Sequence, residues 1–359
     1  MSRSFDPSLG QGDVFQARVS LLQRIHIDGW LLLLLLLLGA GGLFILYSAG
    51  SKSEAMLIKQ ASSFGFGLLA MVLIAQFDPR FMARWAAPAY LAGVGLLLVV
   101  EVMGHKAMGA TRWINIPGVV RFQPAELMKI FMPLTIAWYV ARYNLPPSFK
   151  HLVISLVLVA VPFLLIARQP DLGTAMLVLA SGLFALFLGG LRWRWILAAL
   201  TAVIPAGFVM WNFFMRSYQK QRVLTFLNPE SDPLGSGWNI IQSKAAIGSG
   251  GVLGKGWLQG TQSHLDFLPE SHTDFIIAVL AEEFGLVGVC LLLLGYLLLV
   301  FRALFITLHA QTVFGKLLAG SLTLTFFVYV FVNIGMVSGL LPVVGVPLPF
   351  VSYGGTSIV

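Results

Sequence analysis

The chain has 359 residues, of which 58% are hydrophobic and only 11% are charged, and its formal net charge is +8. A soluble domain normally carries about 25% charged residues, so this composition excludes an ordinary soluble protein and predicts an integral membrane protein. No aromatic–basic repeat, zinc-ligand spacing or basic tail indicates binding to nucleic acid, and the single cysteine, Cys290, excludes an intramolecular disulfide.

The apolar segments predict an all-α polytopic membrane protein with about ten transmembrane helices in one domain, residues 1–359. A cytoplasmic tail of about residues 1–28 precedes the first span, Trp30 to Tyr47, which contains eight consecutive leucines. Each span is close to the ~20 residues that a bilayer core requires. We expect a tenth span to begin near Ser352 and the sequence to end inside it. The other spans are predicted near 57–76, 86–103, 124–141, 151–167, 173–190, 195–212, 275–300 and 316–337.

The basic residues of the short loops predict the orientation of these spans. With a cytoplasmic N-terminus, more basic residues lie in inner loops than in outer ones, as the positive-inside rule requires. The loop of about 213–273, between helices 7 and 8, is then extracytoplasmic. The inner set is Arg3, Arg18, Arg24, Arg80, Arg84, Arg142, Lys150, Arg192, Arg194, Arg302 and Lys316, and the outer set is Lys52, Lys59, Lys106, Arg112, Arg121 and Arg168.

The first polar cluster lies at the outer end of the fourth predicted span. It contains Arg112, Gln123, Glu126 and Lys129, and Pro124 is suited to the first turn of a helix. Glu126 and Lys129 are three residues apart, so they share a helix face and can pair. Two interpretations stay open: a neutralising ion pair at a helix end, or a cation held ready for a phosphate.

Two further outer segments carry weaker signals. Asp171, in the turn Arg168 to Thr174, is placed to cap the next helix. The glycine-rich run from Gly235 to Gly256 lacks P-loop spacing and follows no strand, so nucleotide binding is unsupported. We expect a flexible loop there, although its backbone amides would also suit a phosphate or a sugar.

The stretch Leu265 to Phe275 is the most informative part of the chain. Asp266, Glu270 and Asp274, together with His272, precede a long apolar run. Ionisable groups at the mouth of a span suggest chemistry at the water–lipid boundary, although Thr273 or Asp274 would also suit a helix cap. About one-third of the way into that span, the adjacent Glu282 and Glu283 indicate either a polar cavity or a break in the helix.

The segment from Gly345 to Ser357 contains Pro347 and Pro349 as well as Gly354 and Gly355, and it predicts a rigid, non-helical approach to the last span. Such backbone is tolerated at membrane depth only where it lines a cavity or is covered by protein.

Five motifs in this order resemble the SEDS (shape, elongation, division, sporulation) family of bacterial cell-wall proteins, and the overall likeness favours its elongation members over its division members. The resemblance covers nearly the whole chain. Its motifs are Arg112-Trp113-Ile114, Gln123-Pro124-Ala125-Glu126-Leu127-Met128-Lys129, Gln169-Pro170-Asp171-Leu172-Gly173-Thr174, Pro269-Glu270-Ser271-His272-Thr273-Asp274-Phe275 and Pro347-Leu348-Pro349-Phe350-Val351-Ser352-Tyr353-Gly354-Gly355.

The resemblance implies a peptidoglycan glycosyltransferase that polymerises lipid II at the outer face of the bacterial inner membrane. It also implies a class B penicillin-binding protein and other membrane proteins of the elongation complex as partners. The family's essential aspartate corresponds to Asp274, and its outer glutamate and lysine correspond to Glu126 and Lys129. The remaining substrate-binding candidates are Arg112, Gln123, His272 and Ser352.

The expected chemistry suits these residue types. An acceptor hydroxyl attacks an anomeric carbon and lipid pyrophosphate leaves, so the protein must supply one base and cations for the phosphates. No cofactor is required by the sequence. Mg²⁺ or Mn²⁺ is compatible with carboxylates and phosphates, but no ligand spacing demands a metal.

Two other functions share part of this pattern. A lipid II flippase predicts ionisable groups near the midplane, which Glu282 and Glu283 offer, and internal repeats, which the sequence lacks. A non-catalytic scaffold of the cell-wall complex needs only helix surfaces and leaves the outer clustering of acid and base unexplained.

Overall fold

The computed structural model describes residues 21–103, 105–107, 110–116, 120–215, 217–231, 237–261 and 270–354. Twelve helices lie within these residues: α1 (Leu21–Arg24), α2 (Gly29–Ala49), α3 (Glu54–Ala75), α4 (Pro79–Met103), α5 (Pro124–Val140), α6 (Phe149–Arg168), α7 (Leu172–Leu188), α8 (Trp193–Val209), α9 (Ser217–Leu227), α10 (Trp238–Gly250), α11 (Ile276–His309) and α12 (Val313–Val337). A π-helical turn, Met210–Phe214, extends α8, and a 3-10 turn, Pro229–Ser231, follows α9.

The protein is a mostly helical, multi-pass membrane protein. Within the described residues, seven helices are long and apolar enough to cross a bilayer, namely α2, α3, α4, α6, α8 with its π-helical extension, α11 and α12. Helix α7 is apolar but only 17 residues long, and α5 has the same length. The nine predicted spans that lie within the described residues correspond to these nine helices.

A small antiparallel sheet corrects the prediction of an all-α protein. Its strands are β1 (His105–Ala107), β2 (Ala110–Ile116) and β3 (Val120–Phe122), in the order β1–β2–β3. Trp113 pairs with His105 and Ile114 pairs with Phe122. The β-branched and aromatic residues of this segment favour strands, and each run is too short to form a stable helix.

The segment predicted as a flexible outer loop is also partly helical. Helix α10 buries Ile240 and Ala246, and the Ser243 hydroxyl donates a hydrogen bond to the Val337 carbonyl, at 2.9 Å. Gly250 lies against α11, because a Cβ built on it would be 1.9 Å from the Ala281 carbonyl oxygen. Gly250 thus allows close packing, which outweighs the weak helical propensity of glycine.

Helix α11 differs from its predicted form in two ways. It begins at Ile276, and its N-cap residue, Phe275, makes no side-chain capping bond, so neither Thr273 nor Asp274 caps it. It ends at His309 rather than near residue 300, and it is interrupted at Gly285, where φ is 64° and ψ is −160°. The predicted helix break near Glu282 is therefore present.

The helices pack into two apolar cores. One core joins α2, α10, α11, the C-terminal part of α12 and the non-helical segment after it, with Leu46, Phe275 and Leu348 at its centre. The other joins α4, α5, α6, α7 and the N-terminal part of α12, around Met128, Ile136 and Leu186. Helix α12 belongs to both cores, so it forms the seam between them.

Candidate active site

Asp274 lies in the turn immediately before α11 and is half-buried. The Asn333 amide donates to its backbone carbonyl at 3.0 Å, and a Cβ built on Gly345 would lie 3.4 Å from Oδ2. Burial, together with charge repulsion from the hydrogen-bonded Glu270 carboxyl, raises the pKa of the Asp274 carboxyl from 3.8 to about 6. A carboxylate with a pKa near neutral is suited to proton transfer at physiological pH.

Lys129 and Glu126 form an ion pair on one face of α5, as the spacing predicts. The Lys129 ammonium also donates to the Tyr329 hydroxyl of α12, at 3.1 Å, and lies 4.7 Å from the centre of the Tyr329 ring. The Lys129 side chain is 14% exposed and the Glu126 side chain is 22% exposed. The pair is therefore accessible to a ligand but mostly screened from bulk solvent.

Helix α12 connects these two groups. Tyr329, which contacts Lys129, and Asn333, which contacts the Asp274 backbone, are four residues apart and lie on one helix face. Four residues advance the helix by about 6 Å. The contacts that the Asp274 turn and Lys129 make with α12 therefore lie one turn apart on the same face of that helix.

The non-helical segment 339–354 is held by hydrogen bonds from three helices. Asn333 donates to the Val346 carbonyl at 2.7 Å, Gln60 of α3 donates to the Ser352 carbonyl at 2.7 Å, and Tyr296 of α11 donates to the Pro349 carbonyl at 2.6 Å. Protein thus covers this backbone, as its depth in a membrane requires.

Ser352 is fully buried and ties the same segment to the Asp274 turn. Its hydroxyl donates a hydrogen bond to the Thr273 carbonyl. The same hydroxyl accepts a hydrogen bond of 2.8 Å from the Leu348 amide. The nearby His272 is half-buried, and its carbonyl accepts from the Tyr353 amide at 2.8 Å. Contact of Ser352 or His272 with substrate stays a prediction, and the structure gives Ser352 a role in fixing the turn.

Gln123 connects the motif that begins with it to the motif that contains Asp171. Its amide donates to Asp171 Oδ2 at 2.6 Å, and Asp171 Oδ1 accepts from the Thr174 amide at 3.2 Å, which confirms the predicted cap of α7. A Cβ built on Gly173 would lie 2.5 Å from Val344, so glycine at this position lets the non-helical segment approach α7. The backbone of Arg112 lies in β2, and its side chain lies outside the described part of the structure, as does all of Asp266.

Sequence reasoning missed Gln60, Tyr329 and Asn333, which connect the site. Gln60 and Asn333 are at most 3% exposed. The signal that would have found them is an uncharged polar residue inside an apolar span, since such groups need a partner there. Charged clusters were easier to recognise because their cost in a membrane is larger.

This arrangement can abstract a proton and bind an anion. Asp274 offers a carboxyl with a pKa near neutral, which suits a base, and Lys129 offers a positive charge, which suits an anion. Among the described residues, no group of three or more His, Cys, Asp and Glu side chains is placed to hold a metal ion.

Comparison with known proteins assigns the family. The profile of the FtsW/RodA/SpoVE cell cycle proteins matches residues 29–359. The peptidoglycan glycosyltransferase MrdB of Escherichia coli K12 is 53% identical over 338 residues, which cover 94% of this chain and 90% of that protein.

Solved structures agree with this result. One chain, from a study of how a peptidoglycan synthase complex coordinates polymerization and crosslinking, superposes with a TM-score of 0.81 at 32% identity and covers 92% of this chain and 93% of its own length. The rod shape determining protein RodA of Thermus thermophilus gives a TM-score of 0.68 at 29% identity, covering 92% of this chain and 91% of its own. The resemblance drawn from five sequence motifs is confirmed, and the chain belongs to the FtsW/RodA/SpoVE family.

Proposed function

We propose that this protein is a peptidoglycan glycosyltransferase that polymerises lipid II into glycan strands during cell elongation. The observation that carries the proposal is the half-buried Asp274 carboxyl, with its pKa of about 6, in a turn whose backbone contact with α12 lies one helical turn from the Lys129 contact. The 53% identity to a named peptidoglycan glycosyltransferase over 94% of the chain supports the same activity.

In this reaction Asp274 accepts the proton of an acceptor sugar hydroxyl. The hydroxyl oxygen forms a bond to the anomeric carbon of the donor, and the bond from that carbon to the lipid pyrophosphate breaks. Pyrophosphate leaves without a proton from the protein, so one carboxylate is sufficient, unlike the two that glycosidases use. Above about pH 6 Asp274 is ionised and competent as the base.

Positive charge is needed where the pyrophosphate leaves. Lys129 supplies it, with Arg112 as a second cation, and Glu126 keeps Lys129 in place through their ion pair. Gln123, His272 and Ser352 complete the proposed substrate site. Mg²⁺ or Mn²⁺ is compatible with the phosphates of the substrate, and polymerisation after chelation of divalent ions tests whether either ion is required.

The substrate dictates the membrane arrangement that we propose. Both lipid-linked sugars keep their apolar tails in the bilayer, so the site lies at the periplasmic face of the inner membrane and opens sideways to lipid. Residues 1–359 form one membrane domain of about ten spans, with a cytoplasmic tail of about 1–28 and an outer loop of about 213–273. The seven apolar helices and the two shorter ones support this count.

A class B penicillin-binding protein is the proposed partner, alongside other membrane proteins of the elongation complex. Its transpeptidase activity would crosslink the strands that this chain polymerises. The similarity to a chain from a solved peptidoglycan synthase complex supports this partnership.

Replacing Asp274 by Asn tests the function. Purified protein with labelled lipid II should form glycan strands, and Asp274→Asn should reduce the rate by about 10²–10⁴-fold, as loss of a general base does. Asp78→Asn, an exposed carboxylate at the start of α4, is the matched control and should keep the wild-type rate. Normal polymerisation by folded Asp274→Asn would remove Asp274 from the mechanism. Transport of lipid II without polymer would instead indicate a flippase, and neither activity would indicate a scaffold.

A further inference from the structure

The break at Gly285 divides α11 into two arms that are held in different ways. The short arm, residues 276–284, follows Asp274 directly, and the long arm, residues 286–309, continues into the bundle. Gly285 has a positive φ of 64°, so the helical hydrogen-bond ladder does not pass regularly through it. The backbone of the long arm therefore does not by itself fix the direction of the short arm, and hence the position of Asp274.

The break leaves backbone amides and carbonyls of α11 without their usual helical partners. A glycine loop, residues 251–256, forms hydrogen bonds with these groups. The Lys255 and Gly256 amides donate to the carbonyls of Glu282 and Glu283 at 3.0 and 2.9 Å. In the opposite direction, the amides of 286 and 287 donate to the carbonyls of 251 and 252 at 3.0 and 3.2 Å. A Cβ on Gly254 would lie 2.1 Å from the Glu283 carbonyl oxygen, so the loop fits only without side chains there.

An ion pair between Lys255 and the buried Glu282 joins the loop to the short arm. Glu282 is fully buried, and its Oε1 accepts from Lys255 Nζ at 2.7 Å, the Thr261 amide at 2.8 Å and the Thr261 hydroxyl at 3.0 Å. Lys255 Nζ also donates to the Thr261 hydroxyl at 2.9 Å. We refer to Lys255, Thr261 and Glu282 as the latch.

Protein encloses the short arm, and the latch adds polar contacts to this packing. Every residue from Phe275 to Glu283 is buried, whereas the long arm begins with the exposed Leu286. A rotation of the short arm about Gly285 would thus carry Asp274 with it, and the latch resists that rotation at a point eight residues, or about 12 Å, from Asp274.

We propose that Lys255 and Glu282 are positioning residues for the active site, because their ion pair fixes the short arm of α11 and so sets where Asp274 meets the acceptor hydroxyl. This inference rests on the proposed glycosyltransferase activity. The effect of the two residues is on the rate of the chemical step rather than on the binding of lipid II, since small misplacements of a reacting group are costly.

The test replaces the ion pair without leaving a buried charge. Lys255→Met/Glu282→Met exchanges the pair for apolar side chains, which usually preserves folding, whereas removing one partner alone does not. Initial rates over a range of lipid II concentrations should show kcat about 10- to 100-fold lower with an essentially unchanged KM. Lys255→Arg keeps the charge and the donor, and should recover most of the wild-type kcat.

The matched control is the ion pair on the long arm. Arg302 donates to both Asp28 carboxylate oxygens, at 3.0 and 2.6 Å, and Asp28→Asn weakens that pair while keeping an N-cap for α2. We expect Asp28→Asn to lower the melting temperature and leave kcat unchanged. A wild-type kcat in the double variant, or losses of kcat that follow melting temperature equally in both variants, would overturn the proposal.

A milder variant tests the proposal even if the double variant does not fold. Thr261→Val removes only the hydroxyl contacts to Glu282 and Lys255, and it should lower kcat in the same direction at an unchanged melting temperature. A normal kcat in Thr261→Val would then contradict the inference. If the wild-type protein itself makes no polymer, the proposed function fails rather than the positioning role.

Discussion

At the scale of single residues, the chemistry depends on how Asp274 is surrounded. Its carboxyl is half-buried and shares a hydrogen bond with Glu270, and both features raise its pKa. A base must be deprotonated to act, so the proposed mechanism predicts a lower pH limit of activity near 6. The residue lies before the helix rather than within it, and its carboxyl oxygen Oδ2 lies beside Gly345 of the non-helical segment.

Replacing Glu270 by Gln should shift the pH profile. With the repulsive charge removed, the pKa of Asp274 falls, and the acidic limb of kcat/KM moves from near pH 6 to lower pH. The measurement is the rate of polymerisation between pH 4.5 and pH 8, an interval of about two units either side of that limb. An unmoved limb would show that another group controls it.

The same shift has a consequence for stability, with the opposite sign from an ordinary ion-paired aspartate. Because the folded-state pKa of about 6 lies above the ordinary aspartate value of 3.8, the folded protein binds more protons between these values. Stability contributed by this group is then lost as pH rises through that window. Asp274→Asn should accordingly melt at a higher temperature than wild type at pH 7–8, a pH at which Asp274 is mostly ionised.

Variants of Lys129 can distinguish a role in substrate binding from a structural role. Lys129→Ala should weaken polymerisation and raise the KM for lipid II, but it also leaves Glu126 without its cation. The double variant Glu126→Ala/Lys129→Ala removes both charges. Continued inactivity of a stable double variant supports contact with the pyrophosphate, whereas restored activity would reduce the pair to mutual neutralisation.

At the scale of elements, α12 and the non-helical segment 339–354 assemble the site. Asn333 is fully buried and donates to the carbonyls of both Asp274 and Val346, so one amide connects the Asp274 turn with that segment. Tyr329, one turn away, adds the contact to α5. The site is consequently a property of three chain segments that all contact α12.

Asn333→Leu should damage both folding and activity. It leaves two buried carbonyls without this donor, at about 1–3 kcal/mol for each unsatisfied group, so the melting temperature should fall measurably. Asn212→Leu is a suitable control, because Asn212 is exposed and its amide bonds only within its own helix, to the Phe208 carbonyl at 2.8 Å. Equal melting temperatures for the two variants would contradict the proposed role of Asn333.

At the scale of the whole molecule, orientation in the membrane is the main structural prediction. The single cysteine makes it testable, since Cys290→Ala gives a background in which one introduced cysteine can be labelled. In intact spheroplasts, a membrane-impermeant maleimide should label Ser53→Cys, in the α2–α3 connection, and should not label Ser148→Cys before α6. The reverse labelling pattern would place the site at the cytoplasmic face.

The site residues that the sequence predicts are the ionisable ones, because burying a charge in a membrane costs the most free energy. Asp274, Glu126 and Lys129 stand out in the sequence because ionisable residues are rare at span ends and the Glu126–Lys129 spacing matches a helix face. The pairing of Lys255 with Glu282 is not readable in this way, because 27 residues separate them. The three short strands between α4 and α5 were missed for a related reason, since a sheet depends on pairing between segments rather than on a local repeat.

By itself, the sequence determines the membrane class, most of the helices and the residue types of the reaction. These follow from local properties, because a bilayer imposes the length and apolar character of each span on consecutive residues. The tertiary structure decides which polar groups meet. The break at Gly285, the glycine loop that accommodates it and the seam at α12 all depend on contacts between distant segments, and close packing of glycines and buried hydrogen bonds selects among arrangements that the sequence pattern allows equally.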